Sequence, residues 1–348
     1  MKETALPIGP ALGGAEMGGS PGPAGRARFA AGGAPWYRSA MARSLLLPLA
    51  LLSACAARPR EGSESSKGMV VEGRQGKIAV LDRGELFTEY VFAGQRVPCL
   101  YPLLAPGGVP VTRALPGEPE DHPEQLSLWF AHGDVNGHDF WQDPETRIEN
   151  GEAILCDSGS GAACIRARNL WVAGGELVLI ESRTMTFRME DDLRAIDFDL
   201  RLSPADGPVT FGDTQDGTFA LRLRPEFGFG PGGAGRAQNS EGERDGAVWG
   251  KHARWVAFGG PVDGEELSVA VLDHPNNVRH PTRWQVRDYG LCAANPFGVH
   301  AFEDADPAAG ALRVEEAETL RLRYRVVLFR GALDAGAIED EWSDFAGE

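Results

Sequence analysis

No stretch of this 348-residue sequence stays apolar for the roughly 20 residues that a membrane-spanning helix needs. Positive charge is scarce too: 34 lysines and arginines stand against 50 aspartates and glutamates, a formal net charge of -16. A surface of that sign repels phosphates, which disfavours a nucleic-acid partner, and none is expected. The five cysteines contain no Cys-x-x-Cys pair, which argues against a thiolate zinc site. Helical periodicity is rare, and no internal repeat is visible. Residues 1–40, rich in Gly, Ala and Pro, lack apolar periodicity and cannot bury enough surface to offset chain entropy. They read as a disordered or mis-assigned extension, with Met41 the expected start.

Residues 41–54 have the parts of a secretory signal: Met41-Ala42-Arg43, an apolar run from Leu45 to Leu52, then Ser53-Ala54 before Cys55. The tetrad Leu52-Ser53-Ala54-Cys55 resembles the lipobox of bacterial lipoproteins, which implies lipidation of Cys55 and loss of all residues before it. The alternative is an ordinary signal cut near Ala57. Ala56, where an aspartate is absent, resembles lipoproteins passed on to an outer membrane. Removing residues 1–54 takes away five basic and two acidic residues, moving the formal charge from -16 to -19. Residues 55–68 read as a flexible tether. The expected product is exported and lipid-anchored at the periplasmic or outer-membrane surface, with residues 69–348 as one folded domain. Export permits disulfides. Cys156 and Cys164 flank a turn-rich stretch and are either joined across a hairpin or free and buried.

From residue 69 onward, period-two alternation recurs. Ile196, Phe198, Leu200 and Leu202 alternate with Asp197, Asp199 and Arg201. Phe219, Leu221 and Leu223 alternate with Ala220, Arg222 and Arg224, and Leu320 to Leu328 places its apolar residues opposite Arg321, Arg323 and Arg325. Such strands bury one face and wet the other. Gly174-Gly175, Asp206-Gly207-Pro208, Gly259-Gly260-Pro261 and Asp263-Gly264 supply turns. The fold class is all-β: a large antiparallel β-sandwich with one short C-terminal helix from Asp334 to Phe345, which caps the sheet.

Polar and aromatic residues gather in three segments read as irregular: Asp121 to Trp141, Asn239 to Lys251, and Asp273 to Gly298. Asp-His-Pro occurs at both 121–123 and 273–275, and proline holds the residue before it extended, which would aim His122 and His274. Trp129, Trp141, Trp249 and Trp284 suit sugar stacking, with two of the four expected in the core. Glu241 is a candidate general acid or base and Lys251 a candidate carbonyl-polarising group. No cofactor is required by the sequence. A divalent metal is open to His122, His132, His138 and Asp134, while Asp134-x-Asn136-Gly137-x-Asp139 falls short of a full calcium loop.

Tyr101-Pro102-Leu103, Ser127 to Trp141, Phe211-Gly212-Asp213-Thr214, Asn239-Ser240-Glu241-Gly242, Trp249-Gly250-Lys251, Asp273 to Thr282 and Val286 to Gly298 resemble an exported bacterial family of unknown function, common in planctomycetes. Its members often carry the label methane oxygenase PmoA. That label conflicts with the chain: the membrane monooxygenase subunit needs several long apolar helices, and none follows Leu52. The family in turn resembles sugar-handling sandwiches of the galactose mutarotase kind, which implies a supersandwich fold and keto-sugar lyase, hydrolase or epimerase chemistry on a carbohydrate. In that reading His122 or His274 is the base, Lys251 or Arg287 steadies the enolate, and Tyr289 protonates the leaving group. Trp129, His132, Asp134, Asn136 and Asp213 would bind the sugar together with Asn239, Trp249, Asn277, His280 and Asn295.

One departure stands out. Members of that family continue the first Asp-His-Pro with two histidines and a basic residue, where this chain has Glu124, Gln125 and Leu126. Three readings are open. An enzyme requires His122, His274, Glu241 and Lys251 to meet in one pocket. A non-catalytic carbohydrate-binding or assembly lipoprotein requires a shallow Trp-lined groove. A structural envelope protein requires no pocket.

Overall fold

The computed structural model describes residues 69–117, 121–157 and 162–348, so the expected signal segment, Cys55 and the expected tether lie outside the described residues. The first strands are β1 (Met69–Arg74), β2 (Lys77–Asp82), β3 (Glu85–Val91), β4 (Cys99–Leu103) and β5 (Leu128–His132). Next come β6 (Thr146–Asp157), β7 (Ala163–Ala173), β8 (Glu176–Met189), β9 (Leu193–Pro204), β10 (Val209–Phe211) and β11 (Gly217–Arg222). The rest are β12 (Arg236–Asn239), β13 (Trp255–Val262), β14 (Glu265–Asp273), β15 (Arg283–Val286), β16 (Leu291–Asn295), β17 (Leu312–Val314) and β18 (Leu320–Arg330), before helix α1 (Ala335–Ala346).

They form two eight-stranded antiparallel sheets, ordered β1-β2-β3-β4-β5-β11-β16-β15 and β12-β13-β14-β18-β9-β8-β7-β6, plus the pair β10-β17. The expected antiparallel sandwich is therefore what the structure shows. Aromatic pairs join the inner faces: Phe87 with Phe187 at 5.9 Å, Phe130 with Trp171 at 5.8 Å, and Phe219 with both Phe198 (4.9 Å) and Tyr324 (4.5 Å). Each such ring removed from water contributes about 1.5–3 kcal/mol.

One polar island lies inside this core. The buried pair Glu181–Arg183 is completed by Asn169 Nδ2 and Trp171 Nε1, which donate to Glu181, and Tyr90 Oη donates to Asn169 Oδ1. Burial there pushes the Cys99 thiol up to about 12.

The terminal helix falls where the sequence places it. Asp334 caps it by accepting from the Gly336 and Ala337 N–H groups. Ile338 and Phe345 pack with Leu193, Trp255, Leu272 and Val327 against the outer face of the second sheet. Arg325, fully buried below, pairs with Asp197, Glu341, Asp344 and Glu348. Cys156 and Cys164 face each other across the β6-β7 ladder and form a disulfide, while Cys99 and Cys292 are free and buried.

Two sequence readings need correction. Gly259-Gly260-Pro261 is strand, not turn, and lies within β13. A Cβ on Gly259 would stand 2.9 Å from that of Leu333, and one on Gly260 3.0 Å from the Glu226 carbonyl, so these glycines serve close approach. The segments read as irregular also contain β5, β15 and β16. These strands are covered on both faces, which erases the alternation that would reveal them.

Candidate functional site

The site begins with a row of cross-strand partners on the outer face of the first sheet. Trp129 pairs with Ala220, Ala220 with Ala293, and Ala293 with Gln285. Their chain neighbours Phe130, Phe219, Ala294 and Trp284 therefore point the other way, towards the second sheet. Trp129 is covered by Trp141 at 5.1 Å, and the two alanines make a low floor between the indole and the Gln285 amide. Arg222 and Arg287 lie on the same face by alternation.

Loops bring chemistry over that floor. Arg222 holds Asp121 with both carboxylate oxygens (2.9 and 2.8 Å), donates to the Tyr289 carbonyl, and lies 4.2 Å from the Tyr289 ring centroid. Tyr289 in turn stacks on His122 at 5.3 Å, and Gln125 Nε2 donates to its hydroxyl at 3.3 Å. His122 Nδ1 faces Glu124 Oε1 at 3.2 Å. The backbone of His122 has φ 46°, not the extended geometry expected before proline. Arg113 secures this sparsely populated conformation by donating to the Asp121 and His122 carbonyls. A cleft of about 430 Å³, lined by Asp121, Arg222, Asp288, Tyr289 and the Gly228–Gly233 loop, opens beside them.

On the other side stands Asp216. Gln142 Nε2 donates to its carboxylate at 3.1 Å. Burial, then the like charge of Asp139, holds the Asp216 carboxyl above the usual carboxylate range, against the opposing pull of the Gln285 hydrogen bond and Arg287. Glu124 adds to the upward push, which ties both halves into one electrostatic neighbourhood. Arg287 donates to Gln215 Oε1 at 3.1 Å and lies 5.7 Å from the Trp249 ring centroid. Gln125 Oε1, Gln285 Oε1 and Trp249 Nε1 are buried without a protein partner.

Of the residues singled out in the sequence, His122, Arg287, Tyr289, Trp249 and the underlying Trp129 meet here. Lys251, two residues after Trp249 in the chain, is exposed to solvent. His274 sits elsewhere, under α1 on the far side of the sandwich. It is buried between the Asn276 N–H, the Arg323 guanidinium and Phe345, and burial with the Arg323 charge lowers its pKa to about 4. His280 pairs with the buried Asp273, and Asn277 ties Asp273 to the Arg323 backbone, so these two serve the same scaffold. Glu241 is exposed in a turn that Asn239 closes by accepting from the Glu241 and Glu243 N–H groups. The meeting of His122, His274, Glu241 and Lys251 in one pocket does not occur, because these loops leave from opposite sheets.

Others act as supports. Asn295 donates to the Thr214 and Gln215 carbonyls, and Asp213 accepts from the His300 and Gly310 N–H groups, which fixes the loop bearing Asp216. Asn136 and Asp134 brace a turn against β10. His132 is core, wedged between Phe211 and Phe297 with Nε2 on the Gly212 carbonyl, and burial lowers its pKa to about 4. Among the described residues no three His, Cys, Asp or Glu side chains converge as metal ligands, and exposed His138 joins neither His122 nor His132. Trp129, Trp141 and Trp284 are buried and Trp249 half-buried, one more in the core than expected.

Sequence reasoning missed Asp216, Gln215, Gln285 and the role of Arg222. Arg222 carries a signal: Ala220 and Arg222 form the face opposite Phe219 and Leu221, a pattern that reads as a solvated face until the loops are seen to cover it.

Fold and site together define an antiparallel β-sandwich protein with a polar, aromatic-walled site on one outer face. The chain belongs to the family of unknown function DUF6807, which matches residues 77–343. Comparison with curated proteins gives no match. Among solved structures, a beta-arabinopyranosidase is similar over 76% of this chain at 10% identity and a TM-score of 0.33, and this chain covers 38% of that protein. A galactose mutarotase-related enzyme from Lactobacillus acidophilus is similar over 76% of this chain and 98% of its own, at 10% identity and a TM-score of 0.29.

Proposed function

We propose that this chain is an exported, lipid-anchored carbohydrate-active enzyme working from the outer face of the first sheet. The observation that supports it is Asp216, a carboxyl kept protonatable by burial and by Asp139, beside an arginine and an aromatic wall. His122, oriented by Glu124 and Tyr289, acts as base. In elimination from a keto-sugar it takes the proton beside the carbonyl. The electron pair released forms the double bond, the glycosidic C–O bond breaks, and Asp216 gives the leaving oxygen its proton. Hydrolysis or epimerisation would use the same two groups.

The test is turnover on a panel of glycosides and their keto derivatives. Asp216→Asn should lower kcat by about 100-fold or more with sugar binding retained and the fold no less stable than wild type. Equal turnover in both proteins would remove Asp216 from the chemistry. A second reading, a sugar-binding lipoprotein without turnover, draws support from Glu124, Gln125 and Leu126, which stand where the resembling family carries two histidines and a basic residue. Binding with no product on any panel member would favour it. For the anchor, Cys55→Ser should move the protein out of the membrane fraction and abolish incorporation of a labelled fatty acid.

A further inference from the structure

Four arginines around the site are committed to protein partners. Arg222 holds Asp121 and the Tyr289 carbonyl, and Arg113 holds the Asp121 and His122 carbonyls. Arg96 donates to the Phe140 and Trp141 carbonyls and to Thr146, and Arg283 to the Gly250 carbonyl and Glu303. Arg287 differs. Its half-buried guanidinium makes one hydrogen bond, to the neutral Gln215 amide, and among the described residues it has no carboxylate at ion-pair distance. A guanidinium has five N–H donors in a flat fork that fits two anionic oxygens side by side.

The surrounding atoms extend the pattern. Gln285 lies two residues before Arg287 on the same sheet face, is 3% exposed and has an unpartnered acceptor oxygen. Gln125, 4% exposed and donating through its amide nitrogen to the Tyr289 hydroxyl, offers another, and the Trp249 indole, whose ring centroid lies 5.7 Å from the guanidinium, carries an unpartnered N–H donor. Two acceptors suit hydroxyl donors, one donor suits a ring or hydroxyl oxygen, and the fork suits an anion.

We infer that the site takes a sugar carrying an anionic group, a uronate carboxylate or a sulfate ester, held by Arg287. The inference rests on the sugar-binding reading above and adds the substrate class to it. With a net charge of -16 the protein repels a polyanion at long range, so the preference must come from this local contact.

The experiment is calorimetric titration of the full chain with a uronate oligosaccharide, its carboxyl-reduced neutral counterpart, and the neutral counterpart bearing a sulfate ester. At least one anionic form should bind about tenfold or more tightly than its neutral counterpart. Arg287→Gln should erase that preference, and Arg287→Lys should keep part of it, with the melting temperature of each variant confirming an intact fold. Should a variant fail to fold, the matched anionic and neutral pair on the wild type still decides. Neutral sugar bound as tightly as both anionic forms would overturn the inference and leave the sugar site standing, as would a preference unchanged in Arg287→Gln. Failure of every sugar to bind would remove both.

Discussion

Asp216 shows how a residue acquires chemistry from its surroundings. Burial and the Asp139 charge disfavour its carboxylate, so the folded protein holds that proton more tightly than the unfolded chain does. A carboxyl raised in this way costs no stability below its unfolded pKa, and the full cost is present above its folded one. Asp216→Asn removes the cost, so the variant should gain stability relative to wild type between about pH 4 and about pH 8. Urea melts at both ends measure this, and a pH-independent difference would show that the carboxyl is not perturbed. Glu181 is the opposite case, a charge buried with its counter-ion. Glu181→Ala strands the Arg183 guanidinium in the core and should cost about 3–5 kcal/mol in denaturant melts. Glu181→Gln keeps an acceptor for Asn169 or Trp171 and should cost less.

At the scale of elements, legibility followed exposure. β9, β18 and α1 keep one face partly wet, in the strands at Asp197, Asp199 and Arg201 and at Arg321 and Arg323, and their periodicity shows in the sequence. The strands β5, β15 and β16 are buried on both faces, and their residues read as an irregular polar-aromatic run. The same strands carry the site floor, so the element that mattered most was the least readable. His122, Tyr289, Arg287 and Trp249 were legible because their types and loops were unusual. Asp216 was not, since its meaning comes from Asp139, Gln142 and Gln285, brought to it only by the fold. His274 shares its tripeptide with His122, yet the chain has crossed to the other sheet by then. For α1 the Asp334 cap supplies an acceptor for two otherwise unpaired N–H groups. Asp334→Ala should destabilise by about 1 kcal/mol, read as a shifted urea midpoint at constant slope. No shift would mean that the Arg325 ion pairs alone seat the helix.

Across the whole molecule, the site occupies one outer face and α1 the other, and a buried histidine sits in the scaffold of each half. His132 supports the turn beside the Asp216 loop and His274 the seat of α1, and both are lowered to about 4, chiefly by burial. The unfolded chain takes up protons near the ordinary histidine value of about 6.5, while the fold refuses them until about 4. Stability is therefore fully present above the first value and falls as pH drops towards the second. His132 alone, fully buried, accounts for a loss on the order of 3 kcal/mol over that span. That is a large share of the roughly 5–15 kcal/mol typical of a folded domain. Carboxylates lowered by arginine partners, Asp199 and Glu226, add their loss only at lower pH, and the raised Asp216 and Asp273 work the other way as they regain their protons. The expected profile is a decline that begins above the carboxylate range. His132→Gln, which keeps a donor for the Gly212 carbonyl, should flatten it, because its side chain has no proton to gain. Denaturant melts of both proteins at about pH 7, 5.5 and 4.5 decide the matter. A His132→Gln curve that runs parallel to wild type over this range would mean that His132 takes up its proton in the fold as readily as in the unfolded chain.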